Sequence, residues 1–172
     1  MSNLNSVISL IRNSKNTLFI LCGYPYAGKS YIAKQLIEQT DLAYVSIDEI
    51  FNLHEFDWNS NNLPDTEGWE QIFAESYEKA KHALTDGNNV LYDSTNQTLA
   101  SRDKLLEVAN SVGAKAKVVF IKTPVEAIWQ RWEENQKDPT RSVVSKELVQ
   151  QTIDMFEEPS EDEGVIIINN YI

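Results

Sequence analysis

The sequence predicts an α/β domain built on a parallel sheet, and three observations carry that expectation. Five short, nearly unbroken apolar runs alternate with longer stretches in which apolar residues recur every three or four positions. The runs lack the in-out alternation of a strand that faces water on one side, so they read as strands covered by helices on both faces. A glycine-bearing turn, Gly23 to Ser30, joins the first run to the helical stretch behind it, at the place where open α/β sheets bind ligands. At 172 residues the chain has the size of one such core, and residues 1–172 are expected to form a single domain.

The elements follow in order. Leu4, Val7, Ile8 and Ile11 share one helical face and predict a short helix packed on the sheet. Residues 17–22 form the first strand, and residues 30–39 a helix with Ile32, Leu36 and Ile37 on one side. A second strand spans 43–47. Residues 52–68 then break the rhythm with a polar, Asn-rich, aromatic-studded stretch that reads as an insertion beside an acceptor. The helix over 67–85 carries Ile72, Phe73, Tyr77, Ala80 and Leu84; a third strand covers 89–92. Leu105, Val108 and Ala109 mark a helix over 101–112, and 115–121 is the fourth strand. Thr123-Pro124-Val125-Glu126 has a capping Thr, a Pro at the first helical position and a Glu three residues after the cap. Residues 133–142, charged and centred on Pro139, read as a lid. Ser145 caps a helix to about residue 156, and 165–169 is the last strand.

Charge and composition exclude several functions. Twenty-six acidic against 15 basic residues leave a net charge of −11, which repels phosphate backbones and anionic membranes at long range. The single cysteine, Cys22, excludes an internal disulfide framework and ends a strand, where it packs rather than reacts. No apolar run is long enough to span a bilayer, and the start lacks the pattern of a signal peptide. A cytoplasmic protein without a membrane partner is expected. His54 and His82 lack partners at metal-ligand spacing.

Gly23-Tyr24-Pro25-Tyr26-Ala27-Gly28-Lys29-Ser30 fits G-x-x-x-x-G-K-[ST]. The glycines let the backbone wrap phosphate oxygens with its N–H groups inward, and the following helix aims its positive end at the same charge. Lys29 places an ammonium against the outer phosphates, and the Ser30 hydroxyl can ligate Mg²⁺. These eight residues and the adjoining Tyr31 form the candidate nucleotide-binding set.

Strand ends supply the remaining chemistry. Asp48 closes the second run and Asp93 the third, which places both carboxylates at the carboxyl edge of the sheet. Asp48 either takes the proton of an attacking hydroxyl or contacts substrate, or else caps the following turn. Asp93 either holds Mg²⁺ or forms a turn. Arg131 and Arg141 flank the lid, where they clamp a transferring phosphoryl or face solvent. Arg102 contacts phosphate or pairs with the neighbours of Asp103. Trp58 and Trp69 bracket the insertion as stacking platforms or as core. Trp129 and Trp132, three residues apart on a helix, read as packing, and the acidic run Glu157, Glu158, Glu161, Asp162, Glu163 as a solvated turn.

Together GYPYAGKS, SIDEI, LYDSTN, the Arg131 to Arg141 segment and FEEPSEDEGV resemble the polynucleotide-kinase-like group of P-loop kinases, the AAA-type ATP-binding proteins. The resemblance covers residues 17 to 168. It implies strand order 2-3-1-4-5, a small lid, and transfer of the γ-phosphoryl of ATP·Mg²⁺ to a hydroxyl. It further implies Asp48 as the hydroxyl-activating aspartate, Arg131 and Arg141 as lid arginines, and Pro159 to Gly164 near the adenine. Two departures stand out. Glu49-Ile50-Phe51-Asn52 lacks the arginine that follows the aspartate strand in polynucleotide kinases, and Arg131-Trp132-Glu133-Glu134-Asn135 lacks the second arginine of their lid pattern. Both remove positive charge, which favours a small or uncharged hydroxyl acceptor over a 5′-hydroxyl nucleic-acid end. A nucleotide-binding switch without efficient transfer is the alternative of another class.

Overall fold

A computed structural model describes residues 4–57, 62–138 and 143–170. Five parallel strands, β1 (Thr17–Cys22), β2 (Ala43–Ser46), β3 (Val90–Asp93), β4 (Lys115–Lys122) and β5 (Ile166–Asn169), form one sheet in the order β2-β3-β1-β4-β5. Helices α1 (Leu4–Arg12), α2 (Lys29–Gln39), α3 (Ile47–Leu53), α4 (Thr66–Thr85), α5 (Leu99–Ser111), α6 (Val125–Lys137) and α7 (Lys146–Asp154) cover its two faces.

Alternation along β1 shows why the runs are apolar throughout. Leu18, Ile20 and Cys22 pack with α3, α4 and α5 on one face, while Phe19 and Leu21 pack with α1, α2, α6 and α7 on the other. Both sets are fully buried, so every position from Leu18 to Cys22 must be apolar. The register pairs Ser46 with Asp93 and Cys22 with Phe120, so the strands stop near one line and their following loops share one edge.

Local chemistry sets the helix starts. Asp65 caps α4 by accepting from Gly68 N, Thr98 and Ser101 form a reciprocal capping box on α5, and Ser145 caps α7 by accepting from Leu148 N. The expected cap at Thr123 is not made. Pro124 is the N-cap residue, with no side-chain bond, and the Thr123 hydroxyl donates instead to Ala27 O at 3.0 Å. The second strand stops at Ser46, one residue earlier than predicted, because Ser46 Oγ accepts from Glu49 N and starts α3 at Ile47, the last residue of the predicted strand. Residues 52–53 and 66–68 of the insertion are helical, and α6 runs through 137 into the expected lid. Trp58, Pro139 and Arg141 lie outside the described residues.

Two further expectations change. Arg102 is buried, and its guanidinium meets the carboxylate of Glu163 through Nε at 2.5 Å and Nη2 at 3.2 Å, while Nη1 donates to Asn96 O at 3.0 Å. Arg102 therefore does not reach a phosphate, and Glu163 is not part of a solvated turn. Burial by itself would raise the Glu163 carboxyl, but hydrogen bonds from Arg102 and from Ser160 N outweigh it and hold the group below its ordinary value. A carboxyl depressed in the folded state stabilises the fold above its unfolded value and loses that contribution as acid titrates it. Arg102→Met, which strands the buried carboxylate, is expected to cost about 3–5 kcal/mol. Urea unfolding at pH 7 measures this, and Arg102→Met with Glu163→Leu together should recover most of the loss.

Candidate functional site

The carboxyl edge of the sheet opens into a cavity of about 1300 Å³. The loop leaving β1 forms its floor. Gly23 has φ +154°, and a Cβ there would meet Ile121 O at 2.9 Å; Gly28 has φ +92°. A side chain at either position meets both backbone strain and a neighbour, which is the physical basis of the two motif glycines. Tyr26 also adopts a positive φ, +62°. Helix α2 starts at Lys29 behind Gly28 without a side-chain cap, so its first N–H groups and its positive dipole end face the cavity.

Of the nine predicted loop residues, Pro25, Tyr26, Gly28, Lys29, Ser30 and Tyr31 line the cavity. Gly23, Tyr24 and Ala27 do not. Ala27 is fully buried, and the Tyr24 ring packs on Phe156 with centroids 4.3 Å apart, joining the loop to the segment after α7. Lys29 Nζ donates to Gly23 O at 2.9 Å and Tyr24 O at 2.8 Å, which holds the ammonium over the loop.

Two further loop carbonyls, those of Tyr26 and Ala27, find donors from distant segments. Arg131 Nη1 reaches Tyr26 O at 3.0 Å; Thr123 Oγ1 and Asn170 Nδ2 reach Ala27 O at 3.0 and 2.7 Å. Sequence reading had no signal for Thr123 or Asn170, which lie 96 and 143 positions from Ala27.

The neighbouring strands β2 and β3 bring the carboxylates. Asp48, in the first turn of α3, lines the cavity; the cap of that helix is Ser46, so capping does not account for Asp48. Asp93 ends β3, nearly buried, and accepts from the Tyr44 hydroxyl through Oδ2 at 2.7 Å. Burial and the Asp93 charge push the Tyr44 phenol far up, so Tyr44 stays a donor at any working pH. Tyr44 was missed because nothing in β2 distinguishes it from a packing aromatic. Trp69 packs as a core residue, its ring stacked on Phe51 at 5.7 Å, and it also lines the cavity. Arg131 and, on the same helix, Glu134 and Asn135 form the third side. Trp129 and Trp132 pack against each other edge-on at 5.8 Å, as expected of core residues.

Below the loop, Asn96 seals the strand ends. It adopts φ +46°, its Nδ2 donates to Leu21 O at 2.6 Å, and its carbonyl accepts from Cys22 Sγ at 3.3 Å. Gly23 N donates to Thr95 O at 3.1 Å, tying the loop to the same turn. Among the described residues no cluster of three or more His, Cys, Asp or Glu is placed to hold a metal, and no helix is long and apolar enough to cross a membrane.

A five-stranded parallel sheet in the order 2-3-1-4-5, with a Gly-x₄-Gly-Lys-Ser loop between the central strand and its helix, defines a P-loop kinase fold. Residues 17–164 match the family described as chromatin associated protein KTI12, and the chain belongs to that family. No curated protein matches it significantly. Among solved structures it is similar to a chain of the Pnkp1/Rnl/Hen1 RNA repair complex, at 24% identity and a TM-score of 0.68 over 81% of this chain and 43% of that one. It is also similar to Chaetomium thermophilum Kti12 in complex with ADP-AlF3, at 17% identity and 0.65 over 88% of each chain. A gluconokinase from Sinorhizobium meliloti 1021 aligns at 16% identity and 0.63, covering 90% and 82% of the two chains. The chain thus spans less than half of the repair-complex chain it matches, and at these identities the likeness is one of fold.

Cys22 offers a test of how firmly this floor is packed. Burial pushes its thiol up to about 12, beyond the lowering effect of Arg102 and Lys29. The thiol therefore stays protonated at pH 8, and a thiol reagent is expected to label the folded protein only as fast as it opens. Rapid stoichiometric labelling without denaturant would contradict this packing.

Proposed function

We propose that this protein transfers the γ-phosphoryl group of ATP to a hydroxyl of a small-molecule, nucleoside-type or nucleotide-type acceptor. The observation that carries the reading is that one cavity runs from the phosphate loop to Asp48 and Asp93. At about 1300 Å³ it exceeds the span of about 300–1,000 Å³ usual for one ligand, which leaves room for donor and acceptor together.

Each group then has a task. The loop amides and the α2 N-terminus hold the triphosphate tail. Lys29 exchanges the Gly23 and Tyr24 carbonyls for outer phosphate oxygens. Asp48 takes the acceptor proton as the hydroxyl oxygen bonds to the γ-phosphorus and the bond to the bridging oxygen breaks. Arg131 releases Tyr26 O and offsets charge on the transferring group, a task that Arg141 shares in this reading. Ser30 and Asp93 provide a hydroxyl and a carboxylate, oxygen donors suited to Mg²⁺ that is otherwise bound by phosphates and water. When bound, that ion neutralises phosphate charge. Tyr44 fixes one oxygen of Asp93. Residues 133–142 act as the lid, residues 52–68 with Trp69 border the acceptor, and the whole chain is one domain.

Charge selects among acceptors. The described residues that line the cavity include Asp48, Asp93, Glu134 and Asp138 but only Lys29 and Arg131 as cations. Once both cations serve the nucleotide, no described cation of the lining is left to offset the charge of a second phosphate-rich ligand. That supports an uncharged acceptor over a nucleic-acid end. The family's description as a chromatin-associated protein favours a second reading, an ATP-binding switch whose readout is a partner rather than a product.

Two substitutions test the chemistry, read by transfer of labelled phosphate to sugars, nucleosides, antibiotics and 5′-hydroxyl oligonucleotides. Lys29→Ala is expected to cut turnover by about 10²–10³-fold; full activity would remove the phosphate site. Asp48→Asn should keep ATP affinity and lower transfer by about 10²–10⁴-fold. Unchanged turnover in that variant would instead support the switch.

A further inference from the structure

We infer that Asn170, just past β5, is a positioning residue for the phosphate loop, keeping its amides turned toward the nucleotide when Arg131 lets go. The inference rests on the phosphate-site reading above and adds a residue that neither the motif nor the strand-end carboxylates contain.

A backbone nest binds anions only while its N–H groups converge, and a peptide N–H points inward only if the carbonyl of the same peptide points outward. An outward carbonyl next to buried chain needs its own donor. In this loop two successive carbonyls get three side-chain donors: Arg131 on Tyr26 O, and Thr123 with Asn170 on Ala27 O. The Ala27 carbonyl and the Gly28 N–H belong to one peptide group, so the pair of donors on that oxygen sets the direction of an amide in the cradle.

The three donors are not equivalent. Arg131 lines the cavity and is charged; a phosphate oxygen is a stronger acceptor for it than a neutral carbonyl. Its bond to Tyr26 O is therefore the one that nucleotide replaces. Thr123 is buried. Asn170 lines the cavity but is neutral, so it has no comparable gain in leaving Ala27 O.

Gly28 gives an independent sign of this arrangement. A Cβ at Gly28 would lie 2.5 Å from Asn170 Nδ2 and 3.7 Å from Arg131 Nη1. The carboxamide thus occupies the space that the missing side chain leaves, pressed on the residue where loop becomes helix. Its own backbone is anchored, since Asn170 N donates to Lys122 O at 2.9 Å as the continuation of the β4–β5 ladder.

The experiment is calorimetric titration of ATP with Mg²⁺ into wild type, Lys29→Ala, Asn170→Ala and Asn170→Asp, with melting temperatures of the unliganded proteins and kcat and KM. Asn170→Ala is expected to weaken ATP binding and raise KM by about tenfold, the worth of one hydrogen bond to a partly buried carbonyl. Its kcat should stay close to that of wild type, and its unliganded melting temperature should fall by about 2–4 °C, because the bond is already made without nucleotide. Asn170→Asp, which puts a carboxylate against both a carbonyl and the triphosphate, should weaken binding further. If Lys29→Ala loses ATP while Asn170→Ala binds like wild type, or loses only melting temperature, the role of Asn170 is overturned and the phosphate site stands. If wild type itself takes up no ATP, the site and this inference fall together.

Discussion

Strand β1 is paired along both edges, with β3 and β4, and its six side chains are buried. A strand held on four sides has no freedom to shift its register, so the point where it ends is fixed to within a residue. Gly23 is that point: its φ of +154° takes the chain out of the sheet, and the 2.9 Å approach of Ile121 O leaves no room for a Cβ. The loop, the start of α2 and the cavity above them all inherit their placement from this one exit. The neighbouring strands stop at the same level, so the start of α3 and the end of β3 bring Asp48 and Asp93 to the same opening.

What holds the opening together is mostly polar and long-range. Thr95 O takes the amide of Gly23, Asn96 bridges to Leu21, and Arg102 joins Asn96 to Glu163 beyond α7. A buried ion pair gains little over well-packed apolar residues of the same volume. Its value here is geometric: a guanidinium with donors in fixed directions aligns three chain segments that apolar packing would leave free to slide. On the other face of the loop, the Tyr24 ring on Phe156 adds an apolar tie to the same C-terminal segment. Residues 156–170 thus touch the loop at two separate places, through Phe156 and Asn170.

The charge distribution divides in the same way. Away from the cavity, acidic and basic side chains meet in ordinary exposed pairs such as Lys122 with Glu158 and Lys104 with Glu107, which contribute little. Inside it, Lys29 and Arg131 both bond carbonyls of the loop, while Asp48 follows β2 and Asp93 ends β3. An excess of −11 over the whole chain therefore coexists with cations gathered where loop amides already favour an anion. Net charge governs what approaches from a distance, and local dipoles govern what stays.

The sequence by itself determined the strands, the helix faces and the phosphate loop, because burial on two faces and amphipathic periodicity leave direct marks on residue type within a few positions. It also marked Asp48 and Asp93, since strand ends are visible where apolar runs stop. Tertiary structure alone decided the partners. Thr123 left its helix for Ala27, Arg102 turned inward to Glu163, Tyr44 reached Asp93, and Asn170 reached Ala27. Each of those side chains has a plain local alternative, a cap, a surface charge, a packing ring or a loose chain end. The choice between them depends on a donor and an acceptor brought together only after the sheet has closed, and no local pattern of residues encodes that meeting.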